Sequence, residues 1–343
     1  MIDQNEVDLQ NLSEGHRLGE SDAYRLMDAI MSGSVSTVKL AGILMALRVR
    51  GETIDELTGF ARAMRDHAVK VPVNRRPVLD TCGTGGDRSY SFNVSTVSAL
   101  VVAGAGVAVA KHGNRSATSK SGSADLLEAL GVPISQGPEV VARMIDEVGF
   151  GFLFAQQVHT SMRHAAETRR ELGVRTVFNV LGPLTNPVNP ERQLLGVFSR
   201  EWVKPMTEVL ARLGTDQALV VHGDGGLDEV SLSGPTQYGR VDRGAVTYGT
   251  LDPGDLGLPR YPKAAIVGGD PTTNAKICLE VLKGAPSPYL DMVLANAGVA
   301  LFVARATDKL SEGVALARES IKSGRAQRVL HRLITEPVQF EAK

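Results

Sequence analysis

Apolar positions return at helical spacing from Ser21 to Met31, at Ala23, Leu26, Met27, Ile30 and Met31, and Ser21 is placed to cap that helix. Gly33 stops it. A second run covers about Ser36 to Arg50, with Leu40, Ile43, Leu44 and Leu47 on one face. Gly51 ends this run, and a third helix is predicted from Thr53 to about His67. Residues 1–17 are polar and read as frayed. Three helices with short joins make an all-helical module, with apolar faces wide enough to leave part for another subunit.

The period changes after the proline-bounded linker Val71–Pro77. Short apolar runs at Val78–Cys82, Val107–Ala110, Val132–Ile134, Phe150–Phe154, Leu194–Phe198, Ala218–His222 and Ala265–Val267 read as buried strands. Helices are predicted near 95–105, 122–130, 138–148, 160–172, 201–213, 274–283 and 288–306. Two more, Glu312 to Gly324 and Ala326 to Leu333, close the chain. Tyr238 to Tyr248 reads as an antiparallel excursion. Alternation of this kind predicts the α/β class. The fold expected is a small all-helical N-terminal domain, 1–72, and a large α/β domain, 73–343. A central, mostly parallel but mixed sheet flanked by helices should form the large domain.

Composition narrows the function classes. Of 343 residues, 43% are hydrophobic and 22% charged, as in ordinary globular proteins. The formal net charge is −1, with no basic tail or stripe, which argues against nucleic acid as the main partner. Cys82 and Cys278 lie far apart without metal-type spacing, and a reducing cytoplasm is the simplest expectation. The start, Met1-Ile-Asp-Gln-Asn-Glu, is not that of a signal peptide, and no apolar run reaches the roughly 20 residues needed to span a bilayer.

Candidate chemistry gathers where the first strand meets the next helix. Asp80-Thr-Cys-Gly-Thr-Gly-Gly-Asp87 holds three glycines in four positions and runs on through Ser91-Phe-Asn-Val-Ser-Thr96. Glycines let backbone N–H groups approach a ligand, and with a helix N-terminus they form an anion cradle. Asn93, Ser95 and Thr96 add side-chain donors, or serve as plain caps. The loop lacks the Gly-Lys-Ser/Thr of a nucleoside triphosphate loop and the spacing of a dinucleotide fingerprint. A second constellation, Lys111-His-Gly-Asn-Arg115 followed by Ser119-Lys-Ser-Gly-Ser123, also follows a predicted strand. Two such loops at neighbouring strand ends would face one crevice. Asp228 and Glu229 form an adjacent acidic pair after a strand and a glycine turn. Such a pair is ordinarily just a solvated charge pair.

These segments, with Arg175-Thr-Val-Phe-Asn-Val-Leu-Gly-Pro-Leu-Thr-Asn-Pro187 and Val221-His-Gly-Asp-Gly-Gly-Leu-Asp-Glu229, resemble the motifs of the anthranilate phosphoribosyltransferase family, in that order. The likeness runs from about Leu18 to Leu333. It implies transfer of the phosphoribosyl group of phosphoribosyl pyrophosphate (PRPP) to anthranilate, releasing pyrophosphate, in tryptophan biosynthesis. It also implies Mg²⁺, a helical segment near 165–185 returning to the small domain, and a homodimer through the small domains. The PRPP residues it implies are Gly83, Gly86 and Asp87 in the loop, Ser91, Asn93, Val94, Ser95 and Thr96 at the helix start, and Lys111, Asn114, Ser119 and Ser123 beyond. Gly83, Asn114 and Arg169 would meet anthranilate. Ser95, Asp228 and Glu229 would hold the metal, with Asp87 behind them or serving the loop.

The implied reaction needs no covalent intermediate. An aryl amine is neutral at pH 7, so catalysis rests on alignment and on stabilising the departing charge. No residue is assigned as a catalytic acid or base. His112 and His159 are candidates for a proton shuttle, although a lone histidine more often has a structural role. Arg163, Arg170 and Arg175 compete with Arg169 for the acceptor carboxylate on residue type alone. Arg88 after the glycine loop, and Gln156, Gln157 and Thr160, depart from the family's usual residues. A pyrimidine nucleoside phosphorylase-like enzyme shares the glycine loop but leaves the acidic pair without a role. A non-catalytic homologue that binds nucleic acid or a regulatory ligand should carry a basic groove and eroded acidic metal ligands, and this sequence shows neither.

Overall fold

The computed structural model describes residues 9–87, 89–116 and 120–337. Seven strands form one sheet in the order β3-β2-β1-β4-β5-β6-β7. They are β1 Val78–Gly83, β2 Ala108–Gly113, β3 Phe150–Phe154, β4 Arg192–Gly196, β5 Gln217–His222, β6 Thr236–Asp242 and β7 Ala245–Leu251. The first five are parallel, and β6 and β7 add an antiparallel hairpin. The predicted mixed sheet is therefore present, and the excursion near Tyr238–Tyr248 is this hairpin.

Side-chain alternation explains why both faces are covered. Leu79, Val109, Leu194, Leu219 and Val221 enter a core with helices Val94–Gly104, Pro288–Val303, Leu310–Lys322 and Arg325–Thr335. Their alternates Cys82, Leu195, Ala218 and Val220 face helix Val203–Arg212 and the N-terminal helices. Strands buried on both faces read as continuous apolar runs, which is how the sequence marked them.

The N-terminal module holds helices Leu9–Ser13, Glu20–Met31, Thr37–Arg50 and Ile54–Asp66. Thr53 and Glu56 form a capping box. The fully buried Glu56 carboxylate also accepts from Leu18 N–H at 2.9 Å and from Arg50 at 2.6 Å, tying three chain segments together. Later in the chain, helix Arg163–Leu172 packs on Thr37–Arg50 and Glu20–Met31, and the turn Phe178–Leu181 packs on Ile54–Asp66. Val38 and Val49 on Thr37–Arg50 stand 82% and 83% exposed.

Several local expectations are corrected. Val132–Ile134 is not a strand: Val132 and Ile134 are buried, but Pro133 lacks a donor for a ladder. Ala265–Val267 is not one either. Lys263–Ile266 is a 3₁₀ turn, and Val267 makes an isolated bridge with Ser91. Ser21 does not cap its helix, because Gly19 holds the N-cap position. The polar N-terminal stretch is not frayed throughout: it contains helix Leu9–Ser13, which places Leu12 in the core. The predicted helix over 160–172 is divided into the 3₁₀ turn Thr160–Met162 and helix Arg163–Leu172, and a short unpredicted helix, Ala155–Val158, precedes it. No helix among the described residues is long and apolar enough to cross a membrane.

Candidate active site

The chain builds β1, β2 and β3 outward to one side, then places β4 and β5 on the other side of β1. Ligands in open α/β sheets settle at this reversal, beyond the carboxyl ends of the strands. A cavity of about 330 Å³ lies there, of a size suited to a small ligand. It is lined by the glycine loop after β1, the segment Lys111–Ser116 at and beyond the end of β2, Ser121–Ser123, Phe198 after β4, and Asp228 and Glu229 beyond β5. Gly83, Gly86, Asp87, Ser91, Asn93, Val94, Ser95, Thr96, Lys111, Asn114 and Ser123 all line it. Ser119 and Arg88 lie outside the described residues.

Glycine matters at β1 and β4 for a steric reason. A Cβ on Gly83 would sit 2.5 Å from Asp228 Oδ2, and one on Gly196 would sit 1.6 Å from the Asp228 carbonyl oxygen. Bare strand ends let the acidic segment fold over the sheet. Gly85 and Gly86 then turn the loop with φ of +65° and +75°. Gly85 N–H donates to Asp228 Oδ2 at 2.8 Å, and Ser95 N–H donates to Glu229 Oε1 at 3.1 Å. The acidic pair is thus a partly buried site feature and not a solvated one.

Burial pushes the Asp228 carboxyl up to about 7, and the neighbouring Asp87 charge adds to the rise. Glu229 is also raised, by burial and then by Asp228. Asp87 takes the Ser89 N–H on Oδ1 at 3.1 Å, while its buried Oδ2 has no hydrogen-bond partner among the described residues. Among the described residues no three His, Cys, Asp or Glu side chains form a ready-made cation cage. Two carboxylates, the orphaned Asp87 oxygen and the Ser95 hydroxyl suit Mg²⁺, which takes few protein oxygens and leaves positions for water and phosphate.

Lys111 lines the cavity but is held from behind. It is only 1% exposed, so it is not a solvated strand-end lysine. Its Nζ donates to Thr81 O at 2.6 Å and lies 3.3 Å from Ser95 Oγ. Burial lowers its pKa, and nearby Asp80 opposes that. The ammonium orients the Ser95 hydroxyl from behind. Asp80 is the anchor that the sequence reading missed: fully buried, it accepts from His112 N–H at 3.2 Å and from Asn186 Nδ2 at 3.0 Å. Its signal was a charged residue inside an apolar strand run.

Asn93 occupies the N-cap position without a side-chain cap bond. It reaches Ser121 O at 3.0 Å instead, and its Oδ1 accepts from Asn274 Nδ2 at 2.9 Å. Its amide joins the two candidate phosphate loops. Asn114 Oδ1 accepts from Arg115 N–H at 2.8 Å, and Ser123 Oγ donates to Asn114 O at 3.2 Å.

His112 and His159 meet edge to face at 5.1 Å. Burial drives their pKa values down to about 3 and about 4, and His159 adds to the effect on His112. Both rings are therefore neutral at pH 7. His112 Nδ1 faces Gly182 O at 3.2 Å, so it carries the hydrogen, and Nε2 is an acceptor. Groups that bind a proton this weakly are poor shuttles near neutrality.

Geometry separates the four arginines. Arg163 and Arg170 are exposed. Arg169 is half-buried and stacks 5.1 Å over Phe178, with its pKa lowered by burial, but it is not in the cavity wall. Arg175 is in the wall, with Asn179 and Phe198. Sequence reasoning named Arg175 only as a rival of Arg169 and missed the other two.

The raised Asp228 carboxyl has a testable cost. Its folded pKa of about 7 exceeds the ordinary carboxyl value. As pH rises between those values the unfolded chain loses its proton first, so folded stability falls, and the penalty is complete above about 7. Asp228→Asn retains an acceptor for Gly85 N–H without the charge. Its Tm in the absence of metal should exceed the unsubstituted protein's at about pH 8, and the gap should shrink toward about pH 5. A gap independent of pH in thermal scans would contradict this.

The glycosyl transferase family model for the α/β domain matches residues 75–327, and the one for the helical bundle domain matches residues 9–68. Anthranilate phosphoribosyltransferase from Symbiobacterium thermophilum is 51% identical over 325 residues, 95% of either chain. A crystal structure of the Thermus thermophilus enzyme of that name aligns with TM-score 0.92 at 49% identity, covering 96% of this chain and 99% of that one. The Saccharomyces cerevisiae enzyme in complex with PRPP and Mg aligns with TM-score 0.88 at 31% identity, over 96% and 97% of the two chains. The same yeast enzyme with 4-fluoroanthranilate gives 0.86 at 30%, with the same coverage.

Proposed function

The chain belongs to the anthranilate phosphoribosyltransferases of the glycosyl transferase family, and from that premise we propose that it transfers the phosphoribosyl group of PRPP to anthranilate. The products are N-(5-phosphoribosyl)anthranilate and pyrophosphate, a step of tryptophan biosynthesis. The observation that carries this reading is the acidic pair folded over the glycine loop, Asp228 to Gly85 N–H and Glu229 to Ser95 N–H. A phosphorylase-like site has no use for two such carboxylates.

Asp228, Glu229 and the Ser95 hydroxyl would hold Mg²⁺, with Asp87 beside them. Bound there, the cation would offset the charge of the departing pyrophosphate. The loop N–H groups, Asn93, Thr96 and Ser123 position the donor. Lys111 supports Ser95 and supplies a nearby positive field. The bond from ribose carbon one to pyrophosphate oxygen breaks, and the bond to the aryl nitrogen forms. The nitrogen's surplus proton leaves without a strong base, in keeping with two histidines held neutral. The protein thus acts by alignment and electrostatics, around an oxocarbenium-like transition state.

Arg169 is assigned to the anthranilate carboxylate, with Asn114 and the Gly83 backbone near the acceptor. Its cation is partly desolvated and rests on Phe178, and a carboxylate would offset that cost. Removing one partner of such a pair costs roughly 2–5 kcal/mol. Arg169→Ala should therefore raise KM for anthranilate at least about thirtyfold while KM for PRPP changes little. Lysine should rescue only in part. Steady-state kinetics with both substrates varied decide this. An unchanged anthranilate constant would remove Arg169 from the site. We also read the chain as a cytoplasmic homodimer joined through its small domains, which would cover the outward Val38 and Val49.

A further inference from the structure

We infer that Arg175 is a positioning residue: it latches the glycine loop into the conformation that receives the donor's phosphates, a role separate from holding the acceptor. The inference rests on the reading of this cavity as a PRPP site. Arg175 lies between helix Arg163–Leu172 and the turn Phe178–Leu181, in the segment that packs on the N-terminal helices. Its Nη2 donates to Gly86 O at 3.1 Å. Its guanidinium carbon stands 4.5 Å above the Phe198 ring. Among the described residues its partners are a carbonyl and a ring, and neither neutralises the charge.

The loop is held at successive residues. Thr84 N–H donates to Gly196 O at 2.9 Å, and Thr84 Oγ1 accepts from Phe198 N–H at 3.1 Å. Gly85 N–H is fixed by Asp228. Gly86 is fixed by Arg175. A Cβ on Gly86 would come within 3.6 Å of the Arg175 guanidinium carbon, so loop and side chain are in contact. In a trans peptide the carbonyl and the following N–H point in opposite directions. A cation that holds Gly86 O therefore turns Asp87 N–H away from itself. Gly85 and Gly86 have positive φ, one conformation among the many open to glycine. Without the latch the loop must be ordered when the donor binds, and that entropy is lost from the affinity. Phe198 acts through Arg175, by giving the flat guanidinium a surface to lie on.

Arg169 does not share this role, since it stacks on Phe178 outside the cavity wall. The two cations divide the work: Arg175 serves the donor loop and Arg169 serves the acceptor.

The test is two-substrate kinetics, with calorimetry of PRPP binding in Mg²⁺, on Arg175→Ala, Arg175→Lys, Phe198→Leu and the Ala/Leu double variant. A charge-assisted hydrogen bond predicts a rise in KM and Kd for PRPP of roughly tenfold or more in Arg175→Ala. KM for anthranilate should stay within about twofold, because the acceptor contacts are elsewhere. Arg175→Lys should recover only part, lacking the fork and the stacking face. Phe198→Leu should shift the same constant less, and the double variant should be no worse than Arg175→Ala, since both act through one contact. Should the alanine variant not fold, Phe198→Leu and Arg175→Lys carry the same expectation. An unchanged PRPP constant overturns the inference, as does a rise confined to anthranilate, which would make Arg175 an acceptor ligand. An unsubstituted protein inert toward PRPP and Mg²⁺ would instead overturn the functional reading beneath it.

Discussion

Changing both Asp228 and Glu229 to alanine should lower turnover by roughly a thousandfold or more while the protein stays folded. Pyrophosphate leaves as a polyanion, and loss of the carboxylates removes the means of holding a cation against it. Folding should survive for a reason visible in the site. Burial raises both carboxyls, so their charges oppose the folded state, that of Asp228 fully above about pH 7. The lost acceptors for Gly85 and Ser95 N–H act in the other direction. Kinetics against Mg²⁺ concentration, with thermal scans of the same samples, separate the cases. Turnover near that of the unsubstituted protein at limiting Mg²⁺ would remove the pair from the metal site.

Gly83→Val should abolish measurable PRPP binding, and a far milder outcome is expected at Gly85. At Gly83 the new Cβ meets Asp228 Oδ2 at 2.5 Å, so a proposed metal ligand must move. At Gly85 a Cβ meets nothing within 4 Å, and the cost is the strain of φ +65° alone, on the order of 1 kcal/mol for Gly85→Ala. The sequence treats these glycines alike, as close approaches for phosphate. The structure gives Gly83 a second duty, as a seat for the acidic segment. Calorimetry of PRPP in Mg²⁺ should show loss of at least about a hundredfold for Gly83→Val. Equal, small losses at both positions would make the loop an ordinary turn.

Much of the fold was legible because it is local. Leu40, Ile43, Leu44 and Leu47 recur at the helical period and are all buried. Continuous apolar runs marked the parallel strands, since both faces are covered. The same rule misfired at Val132–Ile134, where Val132 and Ile134 are buried without a ladder. Periodicity could not reveal the return of 163–181 to the N-terminal helices, which is a long-range contact, and the family likeness supplied it. The likeness likewise marked Asp228 and Glu229, an acidic pair that composition assigns to solvent. Asp80 and Asn186 stayed illegible as partners because 106 positions separate them. The burial of Lys111 was not legible because it depends on Ser95 and Thr81 folding over it. Arg175 could be told from three neighbouring arginines only by the loop it touches.

The central claim is that this cavity joins PRPP to anthranilate with Mg²⁺ and releases pyrophosphate. The most direct measurement follows anthranilate fluorescence and pyrophosphate together after the purified protein is mixed with both substrates and Mg²⁺. The account predicts loss of anthranilate and appearance of pyrophosphate in equal amounts, both abolished by chelation of the metal. Anthranilate left unconsumed under these conditions, with phosphate-dependent cleavage of a pyrimidine nucleoside in its place, would contradict it.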